Sequence, residues 1–229
     1  MSAPRALVIG ASGGIGAALV RALEQRDWQV TGLSRSAAPP LDVTDEASIA
    51  AAAGHLAGDA PFALVIVATG LLHDRRLAPE KSLRDLDPRQ LAQSFAVNAI
   101  GPALVAKHFV PLLPRTGRAV FAALSARVGS ISDNRLGGWY GYRASKAALN
   151  QLIRTLAIEL ARTRPDAICV GLHPGTVDTR LSAPFQRGVA PDRLFSPDRS
   201  AGHLLDVIDQ LTPAASGRCF AWDGSEIAP

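Results

Sequence analysis

The chain has 229 residues, 48% of them hydrophobic, and a formal charge of +4 from 24 Lys and Arg against 20 Asp and Glu. That is enough chain to bury a sizeable core. Charges of both signs are scattered, with no basic run longer than Arg75-Arg76, which argues against a nucleic-acid-binding stripe and leaves only a mild positive field that favours anionic ligands. No apolar run reaches the roughly 18 residues that a membrane span needs. Met1 to Arg5 lead directly into Ala6-Leu7-Val8-Ile9 without a small-residue cleavage site, so no signal peptide is expected. Cys169 and Cys219 each sit in an apolar stretch and are expected as buried thiols, which suits a cytoplasmic protein.

In chain order, strands are expected over Ala6–Ile9, Trp28–Leu33, Ala63–Ala68, Arg118–Leu124, Ala167–Leu172 and Arg218–Trp222. Helices are expected near Gly14–Arg26, Ala47–Gly58, Asp87–Leu112, Tyr142–Arg162 and Pro197–Leu211. The strands are apolar on both faces, as parallel strands are when helices cover both sides of a sheet. The alternation predicts a single-domain α/β Rossmann fold over residues 1–229, a doubly wound parallel sheet with helices on both faces. Thr179–Ser196, rich in Pro, Gly, Arg and Phe, reads as an ordered excursion.

Gly10-Ala11-Ser12-Gly13-Gly14-Ile15-Gly16 follows the first strand and opens the first helix. Such a turn lets backbone approach a pyrophosphate at the positive end of a helix. The second strand ends in Ser34-Arg35 where an acid would otherwise hold a ribose 2′-OH. A hydroxyl and a guanidinium there suit a 2′-phosphate, and hence NADP(H), although a solvated arginine would read the same. Asp42 and Val43 are expected near the adenine, and Thr69 and Gly70 along the cofactor's other side.

Tyr142 and Lys146 stand four residues apart, so on a helix they share a face. Lys146 is one of only three lysines in an arginine-rich chain. A cation about 4 Å from a phenol contributes roughly 4 kcal/mol at an effective dielectric of about 20. That equals about three pKa units, enough to bring a tyrosine toward working pH.

Taken together these motifs resemble the short-chain dehydrogenase/reductase family, and its C-factor-like and carbonyl-reductase-like branch in particular. The resemblance runs through Gly10/Gly14/Gly16, Leu41-Asp42-Val43, Val97-Asn98-Ala99, Ser125, Tyr142/Lys146 and Pro174-Gly175-Thr176-Val177-Asp178-Thr179. It implies an NADP(H)-dependent oxidoreductase that interconverts a carbonyl and an alcohol on a small apolar substrate. Tyr142 would move the proton, Lys146 would lower its pKa and bind the nicotinamide ribose, Ser125 would hold the substrate oxygen, and Asn98 would anchor a water. Gly10, Ser12, Gly14, Ile15, Gly16, Pro174, Gly175, Val177 and Thr179 would contact the cofactor. The resemblance also implies a homodimer or homotetramer, and it leaves open a cell–cell signalling role with weak or no catalysis.

Two departures stand out. Ser125 lies 17 residues before Tyr142, against about a dozen in the family, which reads as an insertion around Asp133–Gly138 and leaves Ser130 as the alternative serine. The family's Asn-Asn-Ala-Gly is here Val67-Ala68-Thr69-Gly70. Leu71, Leu72, Trp139 and Phe185 are expected to line an apolar pocket beneath the Thr179–Ser196 excursion. No Cys/His/acid spacing suggests a metal.

Overall fold

A computed structural model describes residues 3–75 and 77–229. Arg76, and with it half of the Arg75-Arg76 pair, lies outside the described residues, as do Met1 and Ser2. Nine strands are found among them: β1 (Arg5–Ile9), β2 (Gln29–Leu33), β3 (Leu64–Val67), β4 (Ala119–Leu124), β5 (Ala167–His173), β6 (Thr176–Val177), β7 (Leu194–Phe195), β8 (Cys219–Ala221) and β9 (Glu226–Ile227). The helices are α1 (Gly14–Glu24), α2 (Glu46–Leu56), α3 (Pro88–Phe95), α4 (Gly101–Phe109), α5 (Tyr140–Thr163) and α6 (Pro197–Gln210). The main sheet runs β2-β1-β3-β4-β5-β8-β9. All its neighbours are parallel except β8 and β9. The doubly wound parallel sheet expected from the sequence is present, and β9 adds one antiparallel strand at its edge. Glu226–Ile227 is too short to carry a periodic signal, and the turn after Ala221 is short enough to fold it back as an antiparallel strand.

Alternate residues of the central strands enter opposite cores. Leu7, Val65, Phe121 and Cys169 meet α2, α4 and α5 through Ile49, Val105, Phe109, Leu149 and Ile153. Val8, Ile66, Val120 and Val170 meet α1 and α6 through Leu19, Leu23, Leu204 and Ile208. Chain order reverses at β1, which lies between β2 and β3. The carboxyl ends of the strands beside such a reversal form the usual ligand crevice of this architecture. Every strand-end residue singled out from the sequence lies on that edge.

The expected helix Asp87–Leu112 is broken. Asp87 caps α3 by accepting from the Arg89 and Gln90 N–H groups. A π-turn, Ala96–Ile100, then separates α3 from α4. Within Pro88–Leu112 the most apolar 18-residue window has a mean hydropathy of 1.3, and 44% of that window is buried inside the protein, as in the core helix of a globular domain. Here Val105 and Phe109 turn their faces to the core beside the sheet. Cys169 and Cys219 are both buried free thiols.

Candidate active site

The glycine turn is dictated by close approach. Gly10 has φ +90°, and a Cβ on it would lie 3.0 Å from the Ala68 carbonyl. A Cβ on Gly16 would collide with the Gly10 carbonyl oxygen, and one on Gly14 would fall 2.8 Å from Thr179 Cγ2. The N–H groups of Gly10 and Ala11 both donate to Leu33 O, at 2.8 and 3.0 Å, which ties the turn to the end of β2. No side chain caps α1 and no acid stands in its first turn, so its amide donors are open to an anion. Ser12 is exposed and Ile15 half-buried at this helix start.

Around the turn lie Ser34, Arg35, Asp42, Val43, Thr69 and Gly70. Ser34 is buried and its Oγ accepts from the Ser36 N–H at 3.3 Å, while Arg35 is exposed. Arg35 forms no ion pair or hydrogen bond among the described residues, and its charge reaches Asp42. Hydrogen bonds from the Thr44 backbone and hydroxyl hold the Asp42 carboxyl below its usual range, with Arg35 adding a smaller pull. Val43 is buried against Gly101, where any Cβ would clash with it. Thr69 Oγ1 is buried without a hydrogen-bond partner among the described residues. An open helix N-terminus, a free guanidinium and an orphaned hydroxyl along one crevice fit a phosphorylated dinucleotide.

The second half of the crevice is held by α5. Its N-terminus has no cap of its own, and Trp139 before it is left-handed, with φ 52°. Glu80, buried in the loop after β3, substitutes. Its carboxylate accepts from the Gly141 N–H at 3.1 Å and its carbonyl from the Trp139 N–H at 2.5 Å. No sequence pattern signals this role, since an isolated Glu in a polar loop looks solvated. Trp139 packs edge-on against Tyr142 (centroids 6.2 Å) and Phe185 (5.0 Å), and Phe185 against His73 (5.5 Å). The Thr179–Ser196 excursion thereby reaches Trp139 through Phe185. Leu72 is buried and Leu71 is held through its backbone.

Lys146 is 2% exposed. Its Nζ donates to Leu124 O at 2.7 Å and lies 5.8 Å from the Tyr142 ring centroid. Burial pushes Tyr142 up to about 12 and pulls Lys146 down to about 8. The expectation that Lys146 lowers the Tyr142 pKa is thus outweighed in the protein alone. Nζ is aimed at a carbonyl rather than at the phenol, and desolvation dominates.

Asn98 stands in the π-turn and is fully buried. Its Nδ2 donates to Leu71 O at 2.7 Å and Ser145 Oγ at 3.1 Å, while its Oδ1 accepts from the Leu71 N–H at 2.8 Å. Both amide protons are therefore spent on fixing the loop after Gly70 and the helix of Tyr142. Ser125, at the end of β4, donates to Asn150 Oδ1 at 2.6 Å. Ser130 instead accepts from the Asp133 N–H at 3.1 Å inside its own turn. Asn150, one turn beyond Lys146, is a second residue the sequence reading missed. Its only signal is an amide four residues after that lysine.

Pro174 and Gly175 follow β5. Gly175 has φ +79°, and a Cβ there would press on Phe195 at 2.7 Å. Val177 is buried in β6, which pairs with β7, and Thr179 returns the chain to Gly14. Among the described residues no cluster of His, Cys, Asp and Glu is placed to hold a metal.

A family model described as enoyl-(acyl carrier protein) reductase matches residues 10–196. The C-signal protein of Myxococcus xanthus is 38% identical over 147 residues, covering 64% of this chain and 82% of that protein. The 1-hydroxy-2-glutathionyl-2-methyl-3-butene dehydrogenase of Rhodococcus sp. (strain AD45) is 30% identical over 230 aligned positions, 96% of each chain. The NADPH-bound carbonyl reductase from chicken fatty liver superposes with a TM-score of 0.86 at 26% identity, over 100% of both chains.

Proposed function

Because the chain belongs to the short-chain dehydrogenase/reductase family, with a carbonyl-reductase-like fold and the oxidoreductase set that goes with it, we propose that it is an NADP(H)-dependent enzyme interconverting a carbonyl and an alcohol on a small apolar substrate. The observation that carries the reading is a buried Lys146 whose Nζ lies 5.8 Å from the Tyr142 ring and is tied to the end of β4, in a chain whose α1 N-terminus after the glycine turn is uncapped. The whole chain, 1–229, serves as one nucleotide-binding domain.

Gly10, Ser12, Gly14, Ile15 and Gly16 hold the pyrophosphate on the α1 amides. Ser34 and Arg35 take the 2′-phosphate, Asp42 and Val43 flank the adenine, and Thr69 with Gly70 lines the opposite wall. Pro174, Gly175, Val177 and Thr179 carry the nicotinamide side. When bound, the cofactor supplies or accepts a hydride. Tyr142 passes its proton to the substrate oxygen in reduction and takes it back in oxidation. Lys146 holds the ribose and, once turned from Leu124 O toward the phenol, eases loss of that proton. Ser125 binds the substrate oxygen, and Trp139 and Phe185 exclude water from it. Asn98 keeps the Leu71 loop and the Tyr142 helix in register.

The test is oxidation of NADPH with a panel of ketones and aldehydes, paired with titration of wild type and Arg35→Ala by NADPH and NADH. One charged hydrogen bond of about 1.5–3 kcal/mol favours NADPH by roughly ten- to a hundredfold, reduced toward the lower end at an exposed arginine. Equal affinities in the wild type would refute the NADP(H) assignment.

Likeness to the C-signal protein supports a second reading, a signalling protein that binds the cofactor without turnover. An inactive chain that still binds NADPH would favour it. An apolar groove of about 450 Å³ between α4 and α5, lined by Ala103, Val110, Leu152 and Leu156, supports assembly as a homodimer or homotetramer. Two free thiols support a cytoplasmic setting.

A further inference from the structure

Tyr142 stands in the first turn of α5, and no side chain of Trp139, the residue before that helix, caps it. Amide donors left open at a helix start fray unless another group takes them. The chain enters α5 through three consecutive left-handed residues, Gly137 (φ +63°), Gly138 (φ +63°) and Trp139 (φ 52°). Glycine adopts that conformation freely, whereas a tryptophan does so only where its surroundings impose it. Glu80, 5% exposed in the loop after β3, imposes it from one side. Its carbonyl accepts from the Trp139 N–H at 2.5 Å, and its carboxyl accepts from the Gly141 N–H at 3.1 Å. Arg143 secures the turn from the other side, its Nε donating to Gly137 O at 3.2 Å and to Gly138 O at 3.0 Å.

The carboxyl is closely fitted. A Cβ on Gly141 would lie 2.9 Å from Glu80 Oε1 and 3.2 Å from Leu91 Cδ2, so any larger residue there pushes the carboxyl away. The two N–H groups that Glu80 holds flank Tyr140. One belongs to Trp139, whose ring meets Tyr142 edge-on at 6.2 Å and Phe185 at 5.0 Å. The other belongs to the residue immediately before Tyr142. Lys146, a full turn further on, is tied instead to Leu124 O at 2.7 Å, so its place depends on β4 and not on Glu80. We infer that Glu80 is a positioning residue of the reaction, which holds the first turn of α5 so that the Tyr142 phenol and the Trp139 ring keep one arrangement toward the substrate. The inference rests on the carbonyl-reductase reading above.

Glu80→Leu removes the carboxyl at similar bulk, whereas Glu80→Gln keeps an acceptor oxygen at the same reach. With a saturating ketone that the wild type reduces, Glu80→Leu lowers kcat roughly ten- to a hundredfold, the worth of one hydrogen bond to a carboxylate. Glu80→Gln recovers most of that loss. Affinity for NADPH stays within about twofold of wild type in both, because Lys146 and the glycine turn are held independently. Gly141→Ala attacks the same contact from the helix side. Alanine is the better helix former, so a role confined to helix stability predicts full activity, whereas displacement of the carboxyl predicts a loss like that of Glu80→Leu. In a Tyr142→Phe background, followed at high enzyme concentration, Glu80→Leu costs no more than about twofold further, since no phenol is left to place. Wild-type kcat in Glu80→Leu or Gly141→Ala, a Gln variant no better than Leu, or a loss that persists without the phenol would overturn the role. If Glu80→Leu no longer binds NADPH, Gly141→Ala decides in its place. A wild type that reduces no carbonyl would overturn both this role and the reading it rests on, and only that result touches the latter.

Discussion

His173 closes β5 immediately before the Pro174-Gly175 turn, and its environment makes acid selectively harmful. Burial pulls the imidazole down from 6.5 to about 4, the Arg127 charge adds to the shift, and Asp223 opposes it. Its Nδ1 is buried without a partner among the described residues, so the N–H that an imidazolium must carry there would go unsatisfied. The folded pKa lies below the unfolded one. Between about pH 6.5 and 4 the unfolded chain therefore binds more protons, and stability falls as pH drops through that window. The gap corresponds to roughly 3 kcal/mol in full, of which roughly 2 kcal/mol is lost by pH 5. The control is His173→Gln, which keeps a polar side chain and does not titrate. Urea denaturation of both chains at pH 7, 6 and 5 should show the wild type losing about 2 kcal/mol more than the variant. The carboxylates held low by hydrogen bonds, Asp42 and Asp85 among them, titrate in both chains and cancel. Parallel stability curves for the two proteins would refute the reasoning.

Tyr142→Phe should bind NADPH as the wild type does and lose roughly 10²–10⁴-fold in kcat, read by steady-state NADPH oxidation; retention of more than about a tenth of turnover would remove the phenol from the mechanism. Ser125→Ala should cripple reduction, while Ser130→Ala, which disturbs only its own turn, should be mild; the reverse ranking would move the substrate-oxygen donor to Ser130. Gly16→Ala should abolish NADPH binding in a fluorescence titration and lower Tm, because the new methyl meets the Gly10 carbonyl; normal binding would mean the turn has slack that the structure does not show.

The strands beside the reversal at β1 were legible because their apolar runs are bounded by glycine and serine. The glycine turn was legible because its spacing is fixed by backbone collision, as at Gly16. Tyr142, Lys146 and Ser125 could be placed because strand ends and helix periodicity put them on one edge. What escaped depends on contacts distant in sequence. Glu80 caps a helix some 60 residues away, and Asn150 matters only through the serine it faces. The phenol's pKa was misjudged for a related reason. Spacing says that a lysine shares the face, but whether its ammonium points at the phenol or at Leu124 O is decided by the packing of β4 against α5. The antiparallel β9 and the pairing of β6 with β7 are two-residue elements, too short for any periodicity to register.

The π-turn at Ala96–Ile100 has a bearing on how the molecule tolerates change. Such a turn houses one residue more than an α-helix would, and each residue turns a helix by about 100°. Everything after it is out of phase with everything before it. That offset is what lets one helical run serve two clients, α3 against α5 and α4 against α2. Deleting a single residue, such as Ala99, would straighten the run into an ordinary α-helix with a complete hydrogen-bond ladder. It would also swing α3 by about 100° relative to α4 and carry the Asn98 amide away from Leu71. The locally better helix would be the globally worse one, so this segment is held in its irregular form by the loop that it grips.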